Sequence, residues 1–422
     1  MPLQPGASFM THQHIAVIGA GVIGVTTAFE LALRGHHVTV FEKNQTCAEE
    51  SSFANAGVIS AGYVTPWAEP GMPGRLLRDC FSKNASFLMH FPNAEELQWM
   101  AQSWKASKPD PYWLHRSAMQ RLALMSQARM KEISNLFRLE YEQVQGYNLL
   151  YRDAKAWEQA LLALPYLSAQ AIPYQLLTPQ ELLNKEPALE SSTTLAGAIH
   201  LPQDQVANCR QFTMAIRDEA EKLGVEFRFK ADVQALDPNN PRELVCGSEK
   251  LHFDATVVCA GTLSETVLRN FKLNTGIMPV HGYSLTAMIK EPLDAPRCGL
   301  MDDKYKVTIT RQGNRVRVAG VMELGGATKE HNPKAIKTLY KVLEDWFPKA
   351  SDWSQQVQVW KGSRPMRAKG TPLICPTPVS GVWLNVGHGS SGWALSCASA
   401  QLLAAMMDQE VSPAQWPELM LS

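Results

Sequence analysis

Residues 14–24 read His-Ile-Ala-Val-Ile-Gly-Ala-Gly-Val-Ile-Gly, and the reading of this stretch decides the fold. The apolar run 15–18 predicts a buried parallel strand. Gly19, Gly21 and Gly24 follow at the G-x-G-x-x-G spacing, and Val22–Leu33 carry a helical apolar pattern. Each glycine has a physical task. Gly19 permits a tight strand-to-helix turn, Gly21 lets backbone approach a pyrophosphate, and Gly24 lets the helix pack close to the strand. The helix start then offers free N–H groups and a positive dipole end to phosphate. A second strand, 37–41, ends at Glu42, 23 residues beyond Gly19, the place of an acidic side chain that bonds a ribose hydroxyl. The unit predicts a bound dinucleotide but does not distinguish NAD from FAD.

Working outward, 422 residues exceed one typical domain, so two are expected. The chain is 45% hydrophobic and 19% charged, as in ordinary globular proteins. Lys+Arg and Asp+Glu both number 40, which argues against a nucleic-acid partner or a polybasic membrane patch. The eight cysteines are scattered without a C-x-x-C pair, so reduced structural thiols and a reducing compartment are expected, and no metal. The first 13 residues lack the layout of a signal peptide and read as a disordered extension. No apolar run reaches the length of a spanning helix.

Further along, the small polar stretch 50–60 is either a plain loop or a second cofactor surface. Residues 74–140 mix aromatics with amphipathic helices. Leu97, Met100 and Trp104 keep helical spacing, as do Met119, Leu122, Met125 and Met130, which predicts core faces or a surface leaning on a membrane or partner. Residues 147–151, 174–177 and 225–236 read as strands. Thr178-Pro179-Gln180-Glu181 is a helix start with a capping box, and 211–223 is a helix ended by Gly224. Residues 253–261 form a buried strand entering a small-residue turn. Segments 307–310 and 316–320 flank a hairpin tip, 333–347 is an amphipathic helix, and 357–361 is a strand. Near the end, strand 382–386, the turn Gly387-His388-Gly389-Ser390-Ser391-Gly392-Trp393 and a helix over 394–407 repeat the opening logic. A helix start there can stabilise negative charge on a reduced ring system.

Two glycine-rich strand-to-helix turns at opposite ends suit a long cofactor bound by a fold that the C-terminus completes. The stretches VIGAGVIGVTTAFEL, SSFANAGVISAGYVTPWAEPGMP, PYQLLTPQELLNKEPAL, FRFKADVQAL, GYSLT, DDKYKVTITRQGNRVRVAG, GSRPMRAKGTPLI and LNVGHGSSGWALSCASAQLL run in order through nearly the whole chain from His14. On these the sequence resembles the FAD-dependent D-amino-acid oxidase superfamily, and within it the small-subunit group of the bacterial D-amino acid dehydrogenases. The resemblance implies an α/β fold: an FAD-binding Rossmann-like domain of the glutathione-reductase type with an inserted α+β substrate domain carrying an antiparallel sheet. The expected division is 14–95, 196–275 and 366–422 for FAD, and 96–195 and 276–365 for substrate.

The same resemblance implies the roles. Gly19, Gly21, Gly24 and Glu42 would hold the ADP half of FAD. Ser51, Ser52, Asn55, Ala56 and Gly57 would line its middle, Val233 would offer backbone to adenine, and Ala260 and Gly261 would pass close by. Gly387, His388, Gly389, Gly392 and Trp393 would surround the flavin. Arg364 would clamp the substrate carboxylate through two parallel hydrogen bonds, with Tyr283 and Tyr305 supporting the clamp or closing the pocket and Tyr63 a further candidate. Three places depart from the family pattern: Val280-His281, Val206-Ala207-Asn208 and Arg367-Ala368-Lys369, the last expected near the pocket.

The implied reaction is oxidative deamination of a D-amino acid to a 2-oxo acid and ammonia. Hydride passes from Cα to flavin N5, and electrons pass on to a quinone or respiratory acceptor. His388 is expected to serve cofactor or packing and not as an acid/base. The alternatives are oxidation of glycine, sarcosine, proline, hydroxyproline or an L-amino acid on the same scaffold, an NAD-dependent dehydrogenase, and a non-catalytic flavin subunit. The expected place is the cytoplasm, with peripheral contact at the inner face of the cytoplasmic membrane through the segment between Leu76 and Trp104.

Overall fold

In the computed structural model, residues 12–72, 74, 76, 86–326, 330–352 and 354–421 are described. Two sheets organise them. The first has six strands in the order Leu373–Pro376, Val382–Val386, Ala255–Val258, His14–Ile18, His37–Glu42 and Glu226–Phe229. Its neighbours pair in parallel except the antiparallel first pair. The strand His14–Ile18 sits between His37–Glu42 and Ala255–Val258 and is buried beyond its first residue, as its apolar run requires. At its end Gly19 takes φ +103, and a Cβ there would stand 2.7 Å from the Cys259 carbonyl oxygen. A Cβ on Gly24 would stand 1.8 Å from the Gly19 carbonyl oxygen. Both glycines are therefore fixed by contact between helix, turn and strand.

The helix Val22–Leu33 is buried nearly all round. It packs against Gly392–Met407, which lies against the long helix Pro109–Phe137. Arg129 forks onto Glu30 at 2.7 and 3.0 Å, satisfying a carboxylate buried in that helix layer. The tail therefore completes the opening unit, as its repeated strand–turn–helix pattern predicts. The turn at Gly387 leads through a short 3-10 turn, and the helix begins at Gly392 rather than 394.

The second sheet has ten strands. Eight form the path Gln358–Arg367, Ile277–Met288, Arg315–Leu324, Val307–Gln312, Gly299–Asp302, Val144–Tyr151, Gly197–Val206 and Val58–Ile59; Phe87–Met89 and Gln175–Leu177 attach at the side. Its central pairs are antiparallel. Its faces differ in chemistry, as strand alternation dictates. Tyr283, Leu285, Ala287, Val307, Ile309, Val316 and Val318 form an apolar core with the helix Pro333–Trp346. The intervening residues of the same strands include Ser284, Thr286, Thr308, Thr310 and Arg317.

Several expectations change. His12 and Gln13 are tied down, His12 Nδ1 lying 2.7 Å from the Gly35 carbonyl and Gln13 O accepting from His37 N at 2.9 Å, so the expected disordered extension does not reach residue 13; residues 1–11 lie outside the described residues. The strand expected over 225–236 stops at Phe229, because Lys230 turns left-handed (φ +56) and Ala231 N bonds the Glu42 carbonyl. The strand expected over 357–361 runs on to Arg367. Gly197–Val206, expected with the cofactor segments, pairs along its length with Val144–Tyr151 in the larger sheet. In Ala94–Ala106 the buried residues are Trp99, Ser103 and Ala106, whereas Leu97 and Trp104 are exposed, so that predicted core face is rotated. Met125 is also exposed, while Met119, Leu122 and Met130 are core.

Beneath the larger sheet the Glu323 carboxylate gathers four donors. These are the Tyr283 hydroxyl, Asn332 Nδ2 at 2.8 Å, Lys361 Nζ at 2.9 Å and His90 Nε2 at 2.9 Å. Burial pushes this carboxyl up, but the hydrogen bonds, Tyr283's first, outweigh it and hold the group at about 2. A depressed carboxyl stabilises the fold above its unfolded value near 4.5, and that contribution is lost as pH falls toward 2. Thermal melting of the wild type should therefore drop more steeply from about pH 5 to about pH 3 than that of Glu323→Gln, which should start lower at neutral pH. Parallel curves for the two proteins would contradict the assignment.

Candidate active site

Between the two sheets lies a cavity of about 1110 Å³. One end is the opening turn. Gly19, Gly21 and Glu42 line it together with Val233, which the kink at Lys230 brings beside the end of the strand His37–Glu42. The Glu42 carboxylate accepts from Ala20 N at 2.7 Å and from Asn44 N at 2.9 Å, which fixes it at the turn. Gly24 does not line the cavity; it serves the close helix contact described above.

The middle is built from the small polar stretch. Ser52 Oγ accepts from Val22 N at 3.1 Å in the first turn of the helix, and Ser51 Oγ donates to the Ser363 carbonyl at 2.6 Å across to the larger sheet. Asn55 Oδ1 accepts from Gly57 N at 3.0 Å, and the Asn55 carbonyl accepts from Arg317 Nη1 at 3.3 Å. Ser51, Ser52, Asn55, Ala56, Gly57, Ala260 and Gly261 all border the cavity. Gly387, His388, Gly389, Gly392 and Trp393 border it as well. His388 lies 3.0 Å from Ser399 Oγ, and burial lowers its imidazole to about 3, so it stays neutral and is held by packing.

Two helices thus begin at this wall, Val22–Leu33 and Gly392–Met407, and neither N-cap residue closes the helix with a side chain. Apart from Val22 N, which Ser52 takes, the first-turn N–H groups left without a cap side chain are a fit for phosphate and for a ring that gains negative charge. An elongated cavity flanked by two such starts, with glycine or small residues along the wall, suits FAD.

The larger sheet supplies the remaining wall. Arg364 lies on Gln358–Arg367 opposite Val280. Its guanidinium lies over Gly282, where a Cβ would come within 2.4 Å of its carbon. Nη1 donates to the carbonyls of Val321 at 3.3 Å and His281 at 3.5 Å. Val321 is a bulged residue with φ +53, an outlier for a β-branched side chain, at the point where the register slips between Gly282 and Tyr283. Burial lowers the Arg364 guanidinium to about 10, with no carboxylate among the described residues to offset it. A half-buried, cavity-facing cation without a counter-ion among the described residues is a seat for an anionic ligand group.

Of the two tyrosines expected to support the Arg364 clamp or close the pocket, Tyr283 borders the cavity and Tyr305 does not. Pairing of the two strands is regular through Gly282 and Tyr283, so their side chains point to opposite faces. Gly282 faces Arg364. Tyr283 borders the cavity, but its hydroxyl donates to Glu323 and accepts from Asn332 N at 3.3 Å on the helix side. Tyr305 does not line the cavity; its ring packs in the same apolar core and stacks under Arg152 at 5.1 Å. Tyr63 does line it, near Lys306 Nζ, with its ring 6.2 Å from that of Tyr147. Lys306, Tyr147, Thr308, Trp67 and Trp360 are cavity residues to which sequence reasoning gave no role; Lys306, Thr308 and Trp67 lie in stretches that carry the family resemblance, while Tyr147 and Trp360 do not.

The three departures from the family pattern are structural. His281 Nδ1 lies 2.8 Å from Ser363 Oγ, and Asn208 caps the helix Cys209–Lys222. Arg367, expected near the pocket, is buried and donates to the carbonyls of Thr275 and Thr371.

Known structures share this architecture. Glycine oxidase from Geobacillus kaustophilus superposes with a TM-score of 0.77 at 21% identity, covering 97% of this chain and 98% of that one. Glycine oxidase from Bacillus cereus gives 0.75 at 20% identity over 97% and 98%. L-proline dehydrogenase from P. horikoshii gives 0.72 at 15% identity over 97% and 96%. At these identities the likeness establishes the fold, and it does not single out the D-amino acid dehydrogenases. The FAD dependent oxidoreductase (DAO) family profile matches residues 14–406. A match over most of the chain, on the cavity just described, places this protein in the DAO family of FAD-dependent oxidoreductases.

Proposed function

We propose that the chain is a flavin-dependent dehydrogenase that oxidises a D-amino acid to a 2-oxo acid and ammonia. The observation that carries the substrate class is Arg364, a half-buried guanidinium turned to the cavity without a carboxylate partner among the described residues. FAD, when bound, supplies the acceptor for the hydride that leaves Cα. Gly19, Gly21, Glu42, Ser51, Ser52, Asn55, Ala56, Gly57, Val233, Ala260 and Gly261 would hold its ADP and middle parts, and Gly387, His388, Gly389, Gly392 and Trp393 its ring end. Arg364 fixes the substrate carboxylate, so the Cα–H is positioned. The substrate nitrogen must shed its proton before the hydride leaves. Neutral His388 has no route to that role from its seat on Ser399. The D configuration rests on the sequence resemblance. Glycine and L-proline, acted on by the enzymes of similar fold, define the second reading.

Anaerobic mixing of the purified yellow protein with D- and L-amino acids, glycine and L-proline separates these. D-amino acids should bleach the oxidised flavin band and L-forms should not. Bleaching confined to glycine or L-proline would move the substrate assignment to them. Replacing Arg364 with Met should raise KM for carboxylate-bearing substrates roughly 10- to 100-fold, the loss of a charge-assisted pair, with flavin content unchanged. Unchanged KM would remove Arg364 from the site.

For the acceptor, we propose a quinone or respiratory carrier met on the exposed apolar side chains Phe91, Leu97 and Trp104. Residues 77–85 of the segment expected to dock lie outside the described residues. Among the described residues no helix is long and apolar enough to cross a membrane. Changing Phe91, Leu97 and Trp104 together to Ser should release the protein from sedimenting membranes and abolish dye-independent respiration on the substrate while dye-coupled turnover persists. Unaltered sedimentation and respiration would exclude this surface.

A further inference from the structure

Arg364 accounts for one polar feature of the cavity wall. A second is built around Lys306. This residue takes φ +50 immediately before the strand Val307–Gln312, and its side chain borders the cavity on the same face as Thr308. Its Nζ donates to Asp303 Oδ1 at 2.6 Å and lies 3.5 Å from the Tyr63 hydroxyl, over whose ring it sits at 5.9 Å. Tyr63 comes from the cofactor-side loop, so the pair bridges two walls. With Lys306 as donor, the Tyr63 oxygen accepts, and the hydroxyl hydrogen is left to point to a ligand. No described hydrogen bond takes that hydrogen. Around the pair stand Tyr147 and Thr308, bonded to each other at 3.1 Å, then Met301 and Trp67.

The charges limit what such a donor can read. The Lys306 ammonium is matched by Asp303, and Glu69, another cavity residue, adds a second negative charge nearby. An anionic group brought here would meet two carboxylates against one ammonium. A neutral oxygen acceptor would meet the hydroxyl and the remaining ammonium hydrogens without that repulsion. A bare alkyl group seated against the half-buried Tyr63 would cover its hydroxyl and leave it unbonded, which carries a penalty of its own.

We propose that Tyr63 and Lys306 form a side-chain-reading pair that selects amino acids whose side chain carries a neutral hydrogen-bond acceptor, an amide or a hydroxyl. The inference rests on the reading that the cavity binds an amino acid through Arg364. It assigns the other end of that ligand. Arg364 takes the carboxylate, and the Lys306 end decides which side chains are processed.

The test uses the flavin-loaded full chain and substrates matched in shape, in whichever configuration bleaches the flavin. Asparagine is compared with leucine, serine with 2-aminobutyrate, and asparagine with aspartate, each by kcat/KM with a dye acceptor. The wild type should prefer asparagine to leucine and serine to 2-aminobutyrate by about fivefold or more, and should turn over aspartate more slowly than asparagine. Tyr63→Phe should bring the asparagine-to-leucine ratio close to one. Lys306→Met should lower the same ratio and leave flavin content intact. A wild-type ratio at or below one, or a Tyr63→Phe protein that loses both substrates in equal proportion, overturns the proposal. Bleaching by amino acids without this preference overturns it alone. Absence of bleaching by every amino acid overturns the functional reading and this inference together.

Discussion

The larger sheet must be apolar on one face and polar on the other, and the cavity depends on that division. Its apolar face is closed by the helix Pro333–Trp346, whose buried Leu339, Leu343 and Trp346 need Leu285, Val307, Ile309 and Val318 opposite. The other face is thereby committed to hydroxyls and guanidinium groups. Such a face is unstable against apolar packing but suits a wall shared with a polar cofactor and substrate. Arg364 is the extreme case. A desolvated guanidinium needs acceptors, and it finds them in two backbone carbonyls. One of these comes from the bulge at Val321, and the space it occupies exists because residue 282 has no Cβ. The bulge, the glycine and the arginine are one device for holding a positive charge at the cavity.

The six-stranded sheet obeys a different constraint. Its strands are covered on both faces, and the glycine turn works only because strand, turn and helix touch at backbone distance. The Gly19 carbonyl occupies the place of a Gly24 Cβ, and Cys259 closes on Gly19 from the neighbouring strand. The C-terminal helix packs against the N-terminal one, so the first and last parts of the chain enclose one cavity from two helix starts.

These two constraints explain what could be read from the sequence. The opening β-α-β unit, the closing strand–turn–helix and the Thr178 capping box are local patterns with a mechanism, and they appear where the residues put them. The cavity-lining glycines and Glu42 follow from the same turns. Tyr283 shows where reasoning by motif falls short. In Gly-Tyr-Ser-Leu-Thr the hydroxyls of Ser284 and Thr286 share a face with Gly282, while Tyr283 belongs with Leu285. That parity was available in the sequence and places the tyrosine away from Arg364. Leu97 and Trp104 show the converse, since helical spacing alone does not say which stripe is buried. Lys306 and Val321 were not legible, because a left-handed residue other than glycine leaves no mark in composition or period.

Those last two positions belong together. Val307 pairs with Gly320, so Lys306 and Val321 are the flanking residues of one rung of the ladder between Val307–Gln312 and Arg315–Leu324. Both take positive φ, at +50 and +53. The lysine ammonium borders the cavity, and the valine conformation turns a carbonyl toward Arg364. Residue 306 shares the parity of Thr308, another cavity residue, so the lysine keeps the face that alternation gives it, while the bulge frees the Val321 carbonyl from the ladder. The local cost of two unfavourable backbone conformations is concentrated at a single rung, where the surrounding antiparallel pairing is continuous enough to hold it. The sheet therefore gathers two unfavourable backbone conformations beside the place where Lys306 and Arg364 border the cavity, and the one at Val321 supplies an acceptor to the arginine.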